Sequence, residues 1–189
     1  MKASRVGGWL AAGVLLTAGV GIRVSGAAAG YTKEQVARGE YLVASAGCAD
    51  CHTPKRFGPN GPEPDLTRHL SGAPADIKVP AIPAGLLGPN GWGALATNDK
   101  TTWAGPWGVS FASNLTPDKA AGMGNWTEAG FIRGMRTGKH KGALREILPP
   151  MPWKAVSKLT DDDLRAVFAY LQSIKPIQNK VPDPIPPKH

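Results

Sequence analysis

Five residues constrain this chain more than any others: Cys48-Ala49-Asp50-Cys51-His52. The two cysteines are the only ones in the sequence, and a histidine follows the second directly. Cys-x-x-Cys-His is the spacing for covalent attachment of a c-type haem. Each thiol can add to one haem vinyl group, and the adjacent imidazole then faces the iron. Three other readings compete. A structural zinc site needs about four N/S ligands, usually as two spaced pairs, and this chain has one pair. A thioredoxin-like redox pair belongs in a βαβ setting. Here a helical pattern precedes the motif and a Pro/Gly-rich stretch follows it. Two buried structural cysteines beside a chance histidine is the plainest alternative. The haem reading asks three further things of the chain: a second axial ligand, a pocket and an export signal.

Residues 1–29 read as that signal. Lys2 and Arg5 form a basic start, Val6 to Ile22 is apolar, and Ser25-Gly26-Ala27 and Ala27-Ala28-Ala29 offer small residues for cleavage. The alternative is an uncleaved anchor, for which Val6 to Ile22 is short and glycine-weakened. Export would place the protein in the periplasm, outside the cytoplasm, where c-type haem attachment is expected. Removing the segment takes away Lys2, Arg5 and Arg23 and no acid, so the net charge falls from +8 to +5. The remainder suits one domain, residues 30–177, followed by a Pro-rich tail, 178–189. A moderately basic surface suits acidic redox partners or an anionic membrane surface. No nucleic-acid motif accompanies it.

Helical signals are strong at three places. Thr32 and Gln35 have capping-box spacing, and Val36, Gly39, Val43 and Ala46 recur at helical intervals with Tyr41 and Leu42 alongside, so a helix is expected from Thr32 to Ala46. Gly39 is either a tolerated surface glycine or a point where another helix approaches closely. A second helix is expected from a Thr127 cap to a Gly138 stop, burying Phe131, Ile132 and Met135. A third follows Thr160, with Asp161, Asp162 and Asp163 at its positive end and Leu164, Val167, Phe168, Leu171 and Ile174 as its apolar stripe. Pro176 ends it.

Between Thr53 and Asp99 eight prolines break any helix or central strand. Pro59-Asn60-Gly61 and Pro89-Asn90-Gly91 read as turns. The stretch is expected to lie over the haem-bearing core. Asp99 to Ala112 reads as a hairpin turning at Gly105-Pro106. Trp92, Trp103 and Trp107 could wall a pocket or pack on a porphyrin, though a satellite cluster under a long loop is the simpler reading. Arg133, Arg136, Lys139, His140, Lys141 and Arg145 crowd the second helix's end, as a solvated face or a docking patch. Trp126 and Arg136 are possible propionate contacts.

Iron that cycles between oxidation states without binding substrate wants two protein ligands. A thioether stabilises the ferrous form. Met151, in Leu148-Pro149-Pro150-Met151-Pro152-Trp153, sits in a loop stiffened by prolines and ranks first. Met123, Met135, His69, His140 and His189 are the other candidates. An open sixth position is the alternative.

The order helix, Cys-x-x-Cys-His, long connection, helix, Pro-flanked methionine and terminal helix resembles class I cytochromes c. The runs Ser113 to Asp118, Gly124 to Thr127 and Phe131 to Gly138 are similar to cytochrome c domains in haem subunits of bacterial periplasmic dehydrogenases. The resemblance spans about Thr32 to Ile177 and is weakest from Pro54 to Ala112. It implies a mostly α-helical cytochrome c fold with a long Pro/Gly-rich, Trp-containing insertion. It implies one haem c held by Cys48 and Cys51, His52 as proximal ligand, Met151 as distal ligand, and first and last helices packed near Gly39 and Tyr170. Those subunits usually carry several haem motifs, so a single motif points toward a free-standing carrier. Such a carrier passes single electrons from a dehydrogenase or quinol-oxidising complex to an oxidase or another cytochrome, and is not itself an enzyme. A dedicated dehydrogenase subunit and a haem sensor with an open sixth site are the rivals.

Overall fold

The computed structural model describes residues 30–142 and 144–187. The expected export segment, residues 1–29, and His189 lie outside the described residues. No helix among the described residues is long and apolar enough to cross a membrane.

Helix α1 (Lys33–Ser45) starts on the capping box expected at Thr32 and Gln35. The Gln35 amide donates to Thr32 Oγ1 and the Thr32 amide donates to Gln35 Oε1, which satisfies two orphan donors at once. Gly47 then turns the chain into the short helix α2 (Cys48–His52). Helix α3 (Glu128–Thr137) is capped by Thr127 and stopped by Gly138, as expected. Helix α4 (Trp153–Val156) is a single turn after the methionine loop. Helix α5 (Asp161–Ser173) is capped by Thr160, whose hydroxyl accepts from the Asp163 amide.

The core forms where α1, α3 and α5 meet. Leu42 and Val43 of α1, Phe131 and Met135 of α3, and Leu164, Val167, Phe168 and Leu171 of α5 are buried in one cluster. The Phe131 and Phe168 rings lie 5.4 Å apart at the centre. Gly39 settles its two readings: it is buried against α5. A Cβ there would overlap the Ala166 carbonyl oxygen and lie 2.8 Å from Tyr170 Cβ. Tyr41, by contrast, is exposed, with the Arg38 guanidinium 5.6 Å from its ring centroid. It is one residue out of phase with the buried pair Leu42 and Val43.

Ion pairs tie the same seams at their rims. Arg38 of α1 bonds Asp163 at 2.9 Å. Arg136 of α3 donates to Asp161 and to the carbonyls of Ser157 and Leu159, the last at 2.8 Å. Hydrogen bonds from Arg38 and Arg136 above all hold the Asp163 and Asp161 carboxyls below the ordinary carboxylate range. A lowered carboxyl pKa contributes stability above its unfolded value and loses it as pH falls through the folded value. Asp163→Asn should therefore flatten the acid limb of a Tm-against-pH curve, leaving a smaller loss on acidification than in the parent chain.

The segment expected to lack helix and strand carries more order than its prolines suggest. Strands β1 (Lys55–Gly58) and β2 (Gly61–Pro64) form a hairpin across Pro59-Asn60. Pro62 and Pro64 fit because a two-stranded ribbon is all edge, where a missing N–H costs no ladder bond. The chain then enters the core, where Leu70 joins the central cluster. Leu70 and Ala73 are wholly buried, the Gly72 amide donates to His52 O at 2.8 Å, and the Ala73 amide to Ala112 O at 2.8 Å. The expected hairpin is present as β4 (Thr102–Gly105) and β5 (Gly108–Phe111), with the short β3 (Leu95–Ala96) on the far side of β4. The mostly α expectation holds for the core. Residues 55–111 add two small sheets beside it.

Candidate functional site

Helix α2 presents Cys48 and Cys51 three residues apart, which puts both thiols on one side of a single turn. Both are half-buried and neither is in a disulfide. Burial pushes both thiols up, so they stand as neutral thiols before any bond forms. His52 closes the helix and is buried. Its Nδ1 lies 2.7 Å from Ser113 O. A carbonyl only accepts, so Nδ1 carries the proton and Nε2 keeps its lone pair. Burial, partly opposed by that hydrogen bond, lowers the imidazole's pKa and keeps the ring neutral. A neutral imidazole oriented through its other nitrogen is the form that binds a metal.

Next to α2 lie two adjoining cavities of about 190 and about 350 Å³. They share Cys48, His52, Phe111, Leu115, Ile147 and Met151 as lining, so they are two parts of one slot. The last four of these, hydrocarbon and thioether side chains, are only half-buried. Apolar groups gathered around a slot of this size, with a few convergent polar atoms, are what a flat apolar ligand would cover. Two thiols and a neutral imidazole at one wall, with a thioether on another, fit a covalently held haem. Among the described residues no group of three or more His, Cys, Asp or Glu side chains is arranged to hold a bare metal ion.

The cytochrome c family pattern matches residues 36–175. The chain belongs to the cytochrome c family. It binds haem c covalently through Cys48 and Cys51, with His52 directly following. Several relatives resemble this cytochrome over much of its length. The fructose dehydrogenase cytochrome subunit of Gluconobacter japonicus is 29% identical over 89% of this chain and 28% of its own. The gluconate 2-dehydrogenase cytochrome c subunit of Pantoea cypripedii is 26% identical over 75% of this chain and 24% of its own. The alcohol dehydrogenase (quinone) cytochrome c subunit of Gluconobacter oxydans is 38% identical over 41% of this chain and 17% of its own. The cytochrome thus spans less than a third of the length of these curated relatives.

The slot sorts the candidates for the second axial position. Met151 and His140 line both parts of it, and Met123 and Met135 line one. Met123 and Met135 are core residues, and His140 meets Trp126 edge-on with ring centroids 4.9 Å apart. His69 is not among the lining residues and lies with Nε2 3.4 Å from the Tyr170 hydroxyl. The basic cluster also divides. His140, Lys141 and Arg145 line the slot, whereas Arg136 is committed to the start of α5. Of the two propionate contacts considered, Trp126 lines the slot and Arg136 does not. Of the tryptophans, Trp103 lines it, Trp92 is exposed, and Trp107 acts through a neighbour.

That neighbour is Ser110, which the sequence did not single out. Trp107 Nε1 donates to Ser110 Oγ at 3.2 Å, and Ser110 Oγ donates to Pro149 O at 2.6 Å. Strand β5 is thereby bolted to the methionine loop. Nothing local to Ser110 reveals this, since its partner is 39 residues away. Ser110→Ala removes two part-buried hydrogen bonds, each worth about 1 kcal/mol, a loss of about 2 kcal/mol. For a chain of this length that should lower Tm by roughly 4–8 °C in a thermal melt.

Proposed function

We propose that this cytochrome is the haem subunit through which a bacterial dehydrogenase passes electrons onward, one at a time. The single observation that carries the reading is the recurrence of dehydrogenase cytochrome subunits among the relatives. Those relatives are named for fructose, alcohols and gluconate. What they share is the cytochrome subunit, so the electron-accepting role is the part carried to this chain. This favours the subunit over the free-standing carrier that a single haem motif suggests.

Haem c supplies a one-electron ferric/ferrous couple. The chain's residues fit the rest of the task. His52 offers Nε2 as the proximal ligand, because Ser113 O occupies Nδ1. Met151 offers its thioether as the distal ligand from a loop bolted to β5. With both positions taken by His52 and Met151, the metal would have no place for substrate, and the role would be electron transfer without bond-making. The apolar slot excludes water and keeps reorganisation small. Lys141 and Arg145 at its rim suit an acidic partner surface. Residues 54–112 read as an insertion whose three-stranded sheet braces the methionine loop through Ser110. The acceptor side would be a quinone-linked complex, an oxidase or another cytochrome, with the protein in the periplasm.

Native affinity purification of the tagged chain from its own cells tests the subunit role. A larger dehydrogenase chain should co-purify, and the haem bands should become reduced when that enzyme receives its substrate. A haem-loaded monomer with no companion would overturn the subunit reading and return the free carrier.

A further inference from the structure

The family pattern ends at residue 175, yet the slot does not. Lys180, Val181, Pro182, Asp183 and Pro184 also line its larger part. Among its described residues, 178–187, the Pro-rich tail carries no helix, but it is held at two points. Asn179 is buried. Its Nδ2 donates to Ser71 O and Ala73 O at 2.8 Å each, and its Oδ1 accepts from the Ala75 amide at 3.0 Å. Asn114 Nδ2 donates to Ile177 O at 2.8 Å. At the far end Ile185 exchanges both backbone hydrogen bonds with Val109 of β5, at 2.8 and 2.9 Å. Gly108 admits this pairing: a Cβ there would overlap Ile185 O and lie 2.7 Å from the Pro186 carbonyl carbon.

We propose that residues 180–184 form a strap, pinned by Asn179 and Ile185, that walls one side of the haem slot and sets the reduction potential of the bound group. A prolyl chain suits this place. Val181 and Pro182 bring apolar surface to the slot, and Pro182 and Pro184 bring no backbone N–H that would need a partner there. The apolar part of this wall, between the exposed Lys180 and Asp183, keeps water from the metal, and burial is one of the levers by which a protein raises a haem potential, since the ferric form carries the extra positive charge. The inference rests on the slot being the haem's seat.

The test uses the full-length, haem-loaded protein and reads midpoint potential by spectroelectrochemistry. Val181→Glu should lower the potential and Val181→Lys should raise it, because a charge at the wall acts on the ferric form with its own sign. A strap that merely supports the fold would move both variants the same way or neither, and either pattern overturns the proposal. Asn179→Ala should lower the potential by letting water in; an unchanged value counts against the strap. Amide hydrogen exchange on the parent protein provides a measurement independent of any variant. The Ile185 and Val109 amides should be protected, and exchange at the rate of a free chain overturns the seating. Covalent haem is checked separately by the alkaline pyridine spectrum. Its absence would sink the cofactor's place in the slot and leave the strap's packing to the exchange data.

Discussion

The Met151→Ala protein should keep its covalent haem and lose the weak long-wavelength sulfur-to-iron charge-transfer band of the ferric state. The thiols of Cys48 and Cys51 are untouched, so the alkaline pyridine spectrum should be that of the parent. On the proposed ligation, losing the thioether removes the ligand that favours ferrous iron. The midpoint potential should fall on the order of 0.1 V or more, within the ~0.8 V range that axial ligation commands. Ferrous protein should also bind carbon monoxide at low concentration, which the parent should resist. Retention of the band in the variant would show that Met123 or Met135 is the true ligand, and a parent that lacks the band yet resists carbon monoxide would point to His140. Absence of the band in the parent, with ready carbon monoxide binding, would move the sensor reading ahead of electron transfer.

Gly39→Ala should destabilise the fold by about 3 kcal/mol, at the upper end of overpacking effects, which for a chain of this length lowers Tm by roughly 6–12 °C. The reason is geometric. The added carbon would overlap the Ala166 carbonyl oxygen, a backbone atom of α5 that cannot rotate aside. To relieve it α1 and α5 must separate, which loosens Leu42 and Val43 against Leu164, Val167 and Phe168 and breaks the reach of Arg38 to Asp163. An exposed glycine in a helix interior gains stability on going to alanine, so the sign of the change discriminates. A rise in Tm would mean that the two helices do not meet at Gly39.

The helices were readable because their signals are local. Thr32 with Gln35, Thr127 with Gly138, and Thr160 with three aspartates are complete instructions within one or two turns. The haem motif was readable for the same reason. The hairpin at Gly105-Pro106 could be read from strand composition around a turn. What escaped depends on partners far along the chain. Pro62 and Pro64 argue locally against strand, and only pairing as an isolated ribbon makes them acceptable. Arg136 reads as one of a basic cluster until Ser157, Leu159 and Asp161 are seen to engage it. Ser110 and Asn179 look ordinary in sequence, and their bonds span 39 and more than 100 residues. Tyr41 shows the limit of periodicity itself, since one position's error on a helix moves a ring from core to water.

The contact between α1 and α5 also orders events in time. Arg38 and Asp163 are 125 residues apart, so α1 lacks α5, the helix it meets at Gly39, until nearly all of the chain exists. A helix of this length is marginal by itself. Until then Cys48, Cys51 and His52 follow a helix that has not docked, and both thiols are more open than in the finished fold. The fold closes only when the distant helix arrives. The final helix to be made is the one that closes this side of the core, so the attachment residues are most open before it arrives.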